Sequence, residues 1–208
     1  MQSQLRRIGA ALTASAAMVS LSLSSPSFAA GATDTLLSYY QLYPSEEARL
    51  GLLAPTDAAF SLKPEDVRLT DSAVGVTIQQ AEDENGALIP VLSLAPQACL
   101  SFTVDCAVAG GYVLTLDYRI PEETTQDLAL SVQINGEYPF TDSREITLPS
   151  VWVDDSQDYK TDRFRNEVYP QPVHVPTWQK KALNSTVYNL RIPLVFELKE
   201  GVNTVDIR

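Results

Sequence analysis

The sequence predicts a mainly β chain, an antiparallel β-sandwich or jelly roll, with a short helical segment in front of it. Three observations carry this. From Ala54 onward the apolar residues recur with period two, as in VGVTIQQ at 74–80 and YVLTLDYRI at 112–120. Strand-like runs begin about every ten residues, the spacing of sandwiches and barrels. Turn signals separate them: Asn85-Gly86, Gly110-Gly111, Asn135-Gly136 and Lys199-Glu200-Gly201.

The residues before Ala54 follow other rules. Arg6 and Arg7 precede an apolar run at 8–24, and Ser27-Phe28-Ala29 ends in the small-residue pattern of a cleavage site. These are the parts of a secretory signal peptide, so residues 1–29 are set aside from the fold. The arginine pair lacks the flanking residues of twin-arginine export, which favours general secretion. No cysteine near the cleavage site supports lipid attachment. The expected location is secreted, extracellular or at the cell surface. No later apolar stretch approaches the roughly 20 residues of a membrane span, so no membrane insertion is expected after cleavage.

Residues 30–53 read as helical. Leu36, Leu37, Tyr40 and Tyr43 recur at three- and four-residue spacing, and Thr33 or Asp34 offers a cap. Pro44-Ser45-Glu46-Glu47 starts a second short helix. This segment is expected to cover one end of a domain spanning 54–208.

Within that domain, 74–80 and 88–94 form a hairpin in which Asn85-Gly86 supplies the positive φ values of a tight turn. Strands follow at 100–108, 112–120 and 127–134. Asn135-Gly136 turns the chain toward a return strand at Tyr138-Pro139-Phe140. Another strand, at 145–153, runs into a long insertion. After it, strands at 188–198 and 202–207 close the sandwich.

Cleavage after Ala29 leaves 179 residues, enough for one domain with a sizeable core. The leader holds two arginines and no acid, so the mature chain has 26 acids against 13 bases, a net charge of −13. That balance argues against nucleic acid, whose phosphates call for clustered Lys and Arg, and against an anionic membrane surface.

Cys99 and Cys106 are the two cysteines. An exported pair invites a disulfide. Yet Leu100, Phe102 and Val104 alternate with Ser101, Thr103 and Asp105, as on one strand. Seven steps of about 3.3 Å would then hold the cysteines over 20 Å apart on opposite faces, whereas a disulfide needs Cα atoms within about 7 Å. Two free, mostly buried thiols are expected.

The insertion at 149–179, PSVWVDDSQDYKTDRFRNEVYPQPVHVPTWQ, holds both tryptophans, the one histidine and four of the thirteen prolines. It is too aromatic for disorder, so it reads as an ordered excursion on the β scaffold. Trp152, Tyr169 and Trp178 suit an apolar platform for a sugar ring, with neighbouring Arg165 and Asn166 for its hydroxyls. The same aromatics also suit burial as pins that hold the loop down. Asp154, Asp155, Asp158 and Asp162 offer oxygens for Ca²⁺, but their spacing matches no loop signature, and a solvated acidic turn is the simpler reading. His174 has no partner for a metal site or a triad. Glu122, Glu123 and Glu145 carry no spacing that marks a glycosidase pair. With no Gly-rich phosphate loop and no G-x-S-x-G elbow, no catalytic residue, metal or cofactor is expected, and the chain is not read as an enzyme.

One family shares this order of segments: the strand GGYVLTLDYRIP, the hairpin VQINGEYPF, LPSVWVDD, DRFRNEVYPQPVHVPTWQ and the last hairpin IPLVFELKEGVNTVDI. Together they resemble the N-terminal module of large bacterial extracellular solute-binding proteins that feed carbohydrate ABC transporters. In that group a signal peptide and a Tyr-rich helix precede a galactose-binding-like β-sandwich. The likeness runs from Gly110 to Ile207. It departs where Arg163-Phe164-Arg165-Asn166 stands for the family's "RDN" and where Pro172-Val173-His174 stands for "QVE". The family's solute-binding domain would follow the last hairpin, and this sequence stops at Arg208, so a truncated member or a stand-alone module is expected. The resemblance implies a non-catalytic module that binds a saccharide weakly or docks on a solute-binding domain serving an ABC permease. An accessory carbohydrate-binding module of a cell-surface glycoside hydrolase, or a purely structural interaction domain, are the alternatives.

Overall fold

The structure is a computed structural model that describes residues 10–13, 36–54, 58–124, 126–156, 160–186 and 192–208. It is a mainly β, antiparallel sandwich with two short helices at its entry. In chain order the first elements are β1 (Ala10–Thr13), α1 (Tyr39–Leu42), α2 (Glu46–Leu50), β2 (Phe60–Ser61), β3 (Arg68–Leu69), β4 (Val74–Glu82), β5 (Leu88–Cys106) and β6 (Gly110–Tyr118). Then come β7 (Leu128–Leu130), β8 (Val132–Ile134), β9 (Ile146–Leu148), β10 (Trp152–Asp154), β11 (Lys160–Thr161) and β12 (Glu167–Val168). The last are β13 (Pro172–His174), β14 (Gln179–Ala182), β15 (Val195–Leu198) and β16 (Gly201–Ile207).

One sheet runs β14-β6-β1-β2, with β15 beside β14 along the same edge of β6. The other runs β3-β5-β16-β8, with β4 continuing along β5. The core forms where period-two side chains of the two sheets meet. Tyr112, Leu114 and Phe196 come from the first sheet, and Phe102, Val104 and Val205 from the second. Phe102 faces Val205 across the β5–β16 ladder, so the inward residues are cross-strand pairs. Ala10–Thr13 lies inside the stretch read as a leader. Its backbone pairs antiparallel with residues 113–116 of β6 and with Phe60–Ser61.

The helices are shorter than the apolar spacing predicts. α1 is capped by Ser38 in a reciprocal capping box with Gln41; Thr33 and Asp34, the caps the sequence offers, lie outside the described residues. Ser45 caps α2, as the Pro44-Ser45 signal predicts. Tyr39 carries the attachment: it is fully buried, edge-on to Phe140 at 5.0 Å, with Phe140 in turn 5.4 Å from Phe196. The chain then closes on β6 through Gly111. Its N–H donates to the Leu52 carbonyl at 2.5 Å, and its carbonyl accepts from Ala54 at 3.0 Å. A Cβ at Gly111 would fall on Val195 and on the Leu52 carbonyl, so only glycine permits this approach.

Asn135-Gly136 is the two-residue turn its sequence predicts, with φ of 54° and 83°. The stretch after it is not a strand. Pro139 has no N–H for a ladder, and the chain enters a 3₁₀ turn at Thr141–Arg144. The strands expected at 88–94 and 100–108 are one strand, β5. Gln97 at φ 61° and a bulge opposite Gly75 bend it without breaking the ladder. Cys99 and Cys106 sit at the two ends of that inner stretch and are free thiols.

Candidate interaction site

The insertion at 149–179 is a β-ribbon. β10 pairs with β13, bringing Trp152 opposite His174 and Val153 opposite Val173. Val175 donates to the Val151 carbonyl below this ladder and Asp155 to the Gln171 carbonyl above it. Further out β11 pairs with β12, Lys160 facing Val168. The base is fastened to the sandwich. The Tyr118 hydroxyl donates to the Pro149 carbonyl at 2.9 Å, and Asp127 accepts from the Ser150 N–H and hydroxyl at 2.8 and 2.7 Å. Those two bonds hold the Asp127 carboxyl below its ordinary pKa. On the far side β14 joins β6.

The tip is organised by Asp162. Its carboxylate accepts from the N–H groups of Phe164 at 2.7 Å and Asn166 at 2.8 Å and from the Asn166 side chain at 3.1 Å. These bonds, Asn166 first, lower its pKa. The carboxylate is therefore spent on the turn. Asp155 is likewise spent, accepting from the Gln171 N–H at 3.0 Å. Asp158 lies outside the described residues. Among the described residues no group of three or more His, Cys, Asp or Glu is placed to hold a metal.

β4 and the outer half of β5 form a second ribbon with the same tip chemistry. Asp83 accepts from the N–H groups of Asn85 and Ala87 at 2.8 and 2.9 Å, as Asp162 does from Phe164 and Asn166. Gly86 takes φ 76° where Arg165 takes φ 67°. The turn at Asn85-Gly86 is thus longer than the two-residue turn predicted, and only Gly86 is at positive φ. An aspartate two residues before Asn85 imposes the difference.

Both ribbons expose apolar residues. On the first, opposite residues share a face, so Ile78 and Leu92 lie with Leu94 and Leu88. Ile78 is 59 % exposed and Leu88 67 %, while Val91 on the other face is buried. On the second, Phe164 is 68 % and Tyr169 71 % exposed, and Trp152, Val153, Val168 and Val173 are all exposed. Contiguous exposed apolar surface marks interaction sites in folded proteins.

The ribbons meet at Trp178. Its indole N–H donates to the Glu82 carbonyl at the end of β4, at 3.0 Å, and the Arg119 guanidinium lies 5.1 Å over its ring. Of the five residues predicted as ligand-binding, Arg165 and Asn166 stand together at the tip. Trp152 stands at the base beside His174, ring centres 5.6 Å apart. Tyr169 lies between, and Trp178 sits past the base. Arg165 and Asn166 thus belong to the turn that closes the β11–β12 ladder, and Trp152 to the β10–β13 ladder. The sequence reading missed the apolar face of the first ribbon, although its alternation was visible at 74–94. What it lacked was which face turned outward.

Comparison with family models, with curated proteins and with solved structures finds no match. Among the described residues no helix is long and apolar enough to cross a membrane.

Proposed function

We propose that the chain is a non-catalytic, exported β-sandwich module of a carbohydrate-uptake solute-binding protein, and that it acts by docking on another protein domain. The observation that supports docking is the set of exposed apolar side chains carried by two ribbons that are joined at Trp178. A saccharide platform would need its aromatics and hydroxyl-binding groups converging in one concavity. Here Trp178 is engaged by Glu82 and Arg119, and Arg165 and Asn166 lie at the far tip. The partner in this reading is the solute-binding domain of the same uptake system, and the permease is engaged through that domain.

The test is a titration of the chain with the solute-binding domain of a carbohydrate ABC uptake system, beside a glycan panel. Saturable binding to the domain, lost in the Ile78→Ser/Tyr169→Ser double variant at unchanged melting temperature, is the expected result. Saturable glycan binding lost in Trp152→Ala would instead establish the sugar platform and sink the docking reading.

A further inference from the structure

A cavity of about 280 Å³ lies between α2 and the β6–β15 pair, far in function from the ribbons and independent of the docking reading. Its walls are Leu50, Leu53, Val113 and Val195, and Tyr39 and Arg49 supply its polar surface. Arg49 is only 8 % exposed. One of its terminal nitrogens donates to the Tyr43 carbonyl at 2.8 Å, and its Cζ lies over the Tyr40 ring, 5.4 Å from the ring centre. Its Nε–H has no hydrogen-bond partner among the described residues. Tyr39 is 1 % exposed, and among the described residues its hydroxyl finds no acceptor for its proton. The Val195 N–H lies near the phenol oxygen and only tempers the cost of burial.

Buried polar groups are satisfied in the great majority of cases, and a buried cation without an anion is expensive. Two donors without acceptors, on residues that line one apolar cavity, call for a ligand that brings acceptors and an aliphatic body. A carboxylate offers two acceptor oxygens and the charge that Arg49 lacks; hydrogen bonds of this kind are the strong ones. Glu46 stands exposed at the rim, so a dianion is disfavoured. We propose that this cavity binds a small aliphatic monocarboxylate, held by the Arg49 Nε–H and the Tyr39 hydroxyl. That chemistry is shared by a free branched-chain acid and by the C-terminal residue of a peptide.

The full chain is titrated with 4-methylpentanoate, with acetyl-leucine as the peptide-end probe, and with 4-methylpentanamide as the uncharged control, following the Arg49 Nε–H resonance by ¹⁵N NMR. Either acid is expected to shift that resonance saturably at about millimolar concentration, and the amide is not. Tyr39→Phe keeps the ring against Phe140 and should weaken binding about tenfold at unchanged melting temperature. Arg49→Lys keeps the charge without the Nε–H and should lose the site, while Glu46→Gln should tighten it. No shift with either acid, equal response to the amide, or native affinity in Tyr39→Phe would overturn the proposal.

Discussion

The Asp142 carboxylate accepts the backbone N–H of Tyr39 at 2.8 Å, across 103 residues of sequence. Its other oxygen accepts from the Ser185 hydroxyl. Asp142 is buried, and it joins the first turn of α1 to the 3₁₀ turn and to the segment after β14. The Tyr-rich helix therefore belongs to the sandwich and is not an appendage to it.

Asp142→Ala leaves a buried N–H and a buried hydroxyl unpaired. The expected loss is about 3 kcal/mol, which for a domain of this size is a fall in melting temperature of roughly 10 °C. Urea denaturation checks it, and Ser185→Ala should cost markedly less.

The tyrosines set a limit on alkaline stability. Burial raises the pKa of Tyr39 and of Tyr118 to about 12. Burial and then the hydrogen bond to Glu197, at 2.6 Å, raise Tyr43 further. An unfolded tyrosine ionises near pH 10, so between about pH 10 and 12 the folded chain holds protons that the unfolded chain has lost. Stability is fully present below pH 10 and is lost as pH rises toward 12. A tyrosinate titration by ultraviolet absorbance should show exposed residues ionising near 10 and these three later, together with unfolding. Coincident ionisation of all tyrosines near 10 in a folded chain would contradict the burial.

The two tryptophans separate cleanly. Trp152 is half exposed, and Trp152→Ala should change stability by under about 1 kcal/mol. Trp178→Ala removes the bond to Glu82 and the Arg119 contact, with an expected cost of about 2 kcal/mol. Urea melts of both variants measure this, and amide exchange at residues 88–92 should rise only in the second.

Arg165 holds a left-handed backbone that its counterpart Gly86 adopts without strain. Arg165→Gly should therefore stabilise the chain by about 0.5–1 kcal/mol, read as a higher urea midpoint. A loss of stability would mean that the Arg165 side chain secures the tip by contacts of its own.

Burial pushes the Cys106 thiol pKa up, and Asp105 adds to it. Alkylation of the native chain near pH 8 should spare Cys106, and denaturation should release both thiols without reductant, as counted by mass spectrometry. A requirement for reductant would show that the two are oxidised.

What was legible in the sequence is what obeys a local rule. Asn135-Gly136, Ser45 before α2 and the alternation at 100–106 each declare their geometry in a few residues. The expected strand at 145–153 is cut at Pro149, and 88–106 is joined through Pro96 and Gln97, because ladder partners rather than propensity decide where a strand ends. The ribbon at 149–179 showed no periodicity because both its faces are wet. The cavity beside Arg49 was invisible for a stronger reason. An unpaired donor is a property of everything around it, and no spacing of residues encodes a missing acceptor.

β5 runs unbroken from a solvated ribbon into the middle of the sandwich. One covalent strand thus spans two cooperative units. Its outer amides, at 88–94, should exchange with solvent through local opening, while those at 100–106 wait for global unfolding. The boundary falls at Gln97, so opening of the outer half should leave the half that carries the core in place.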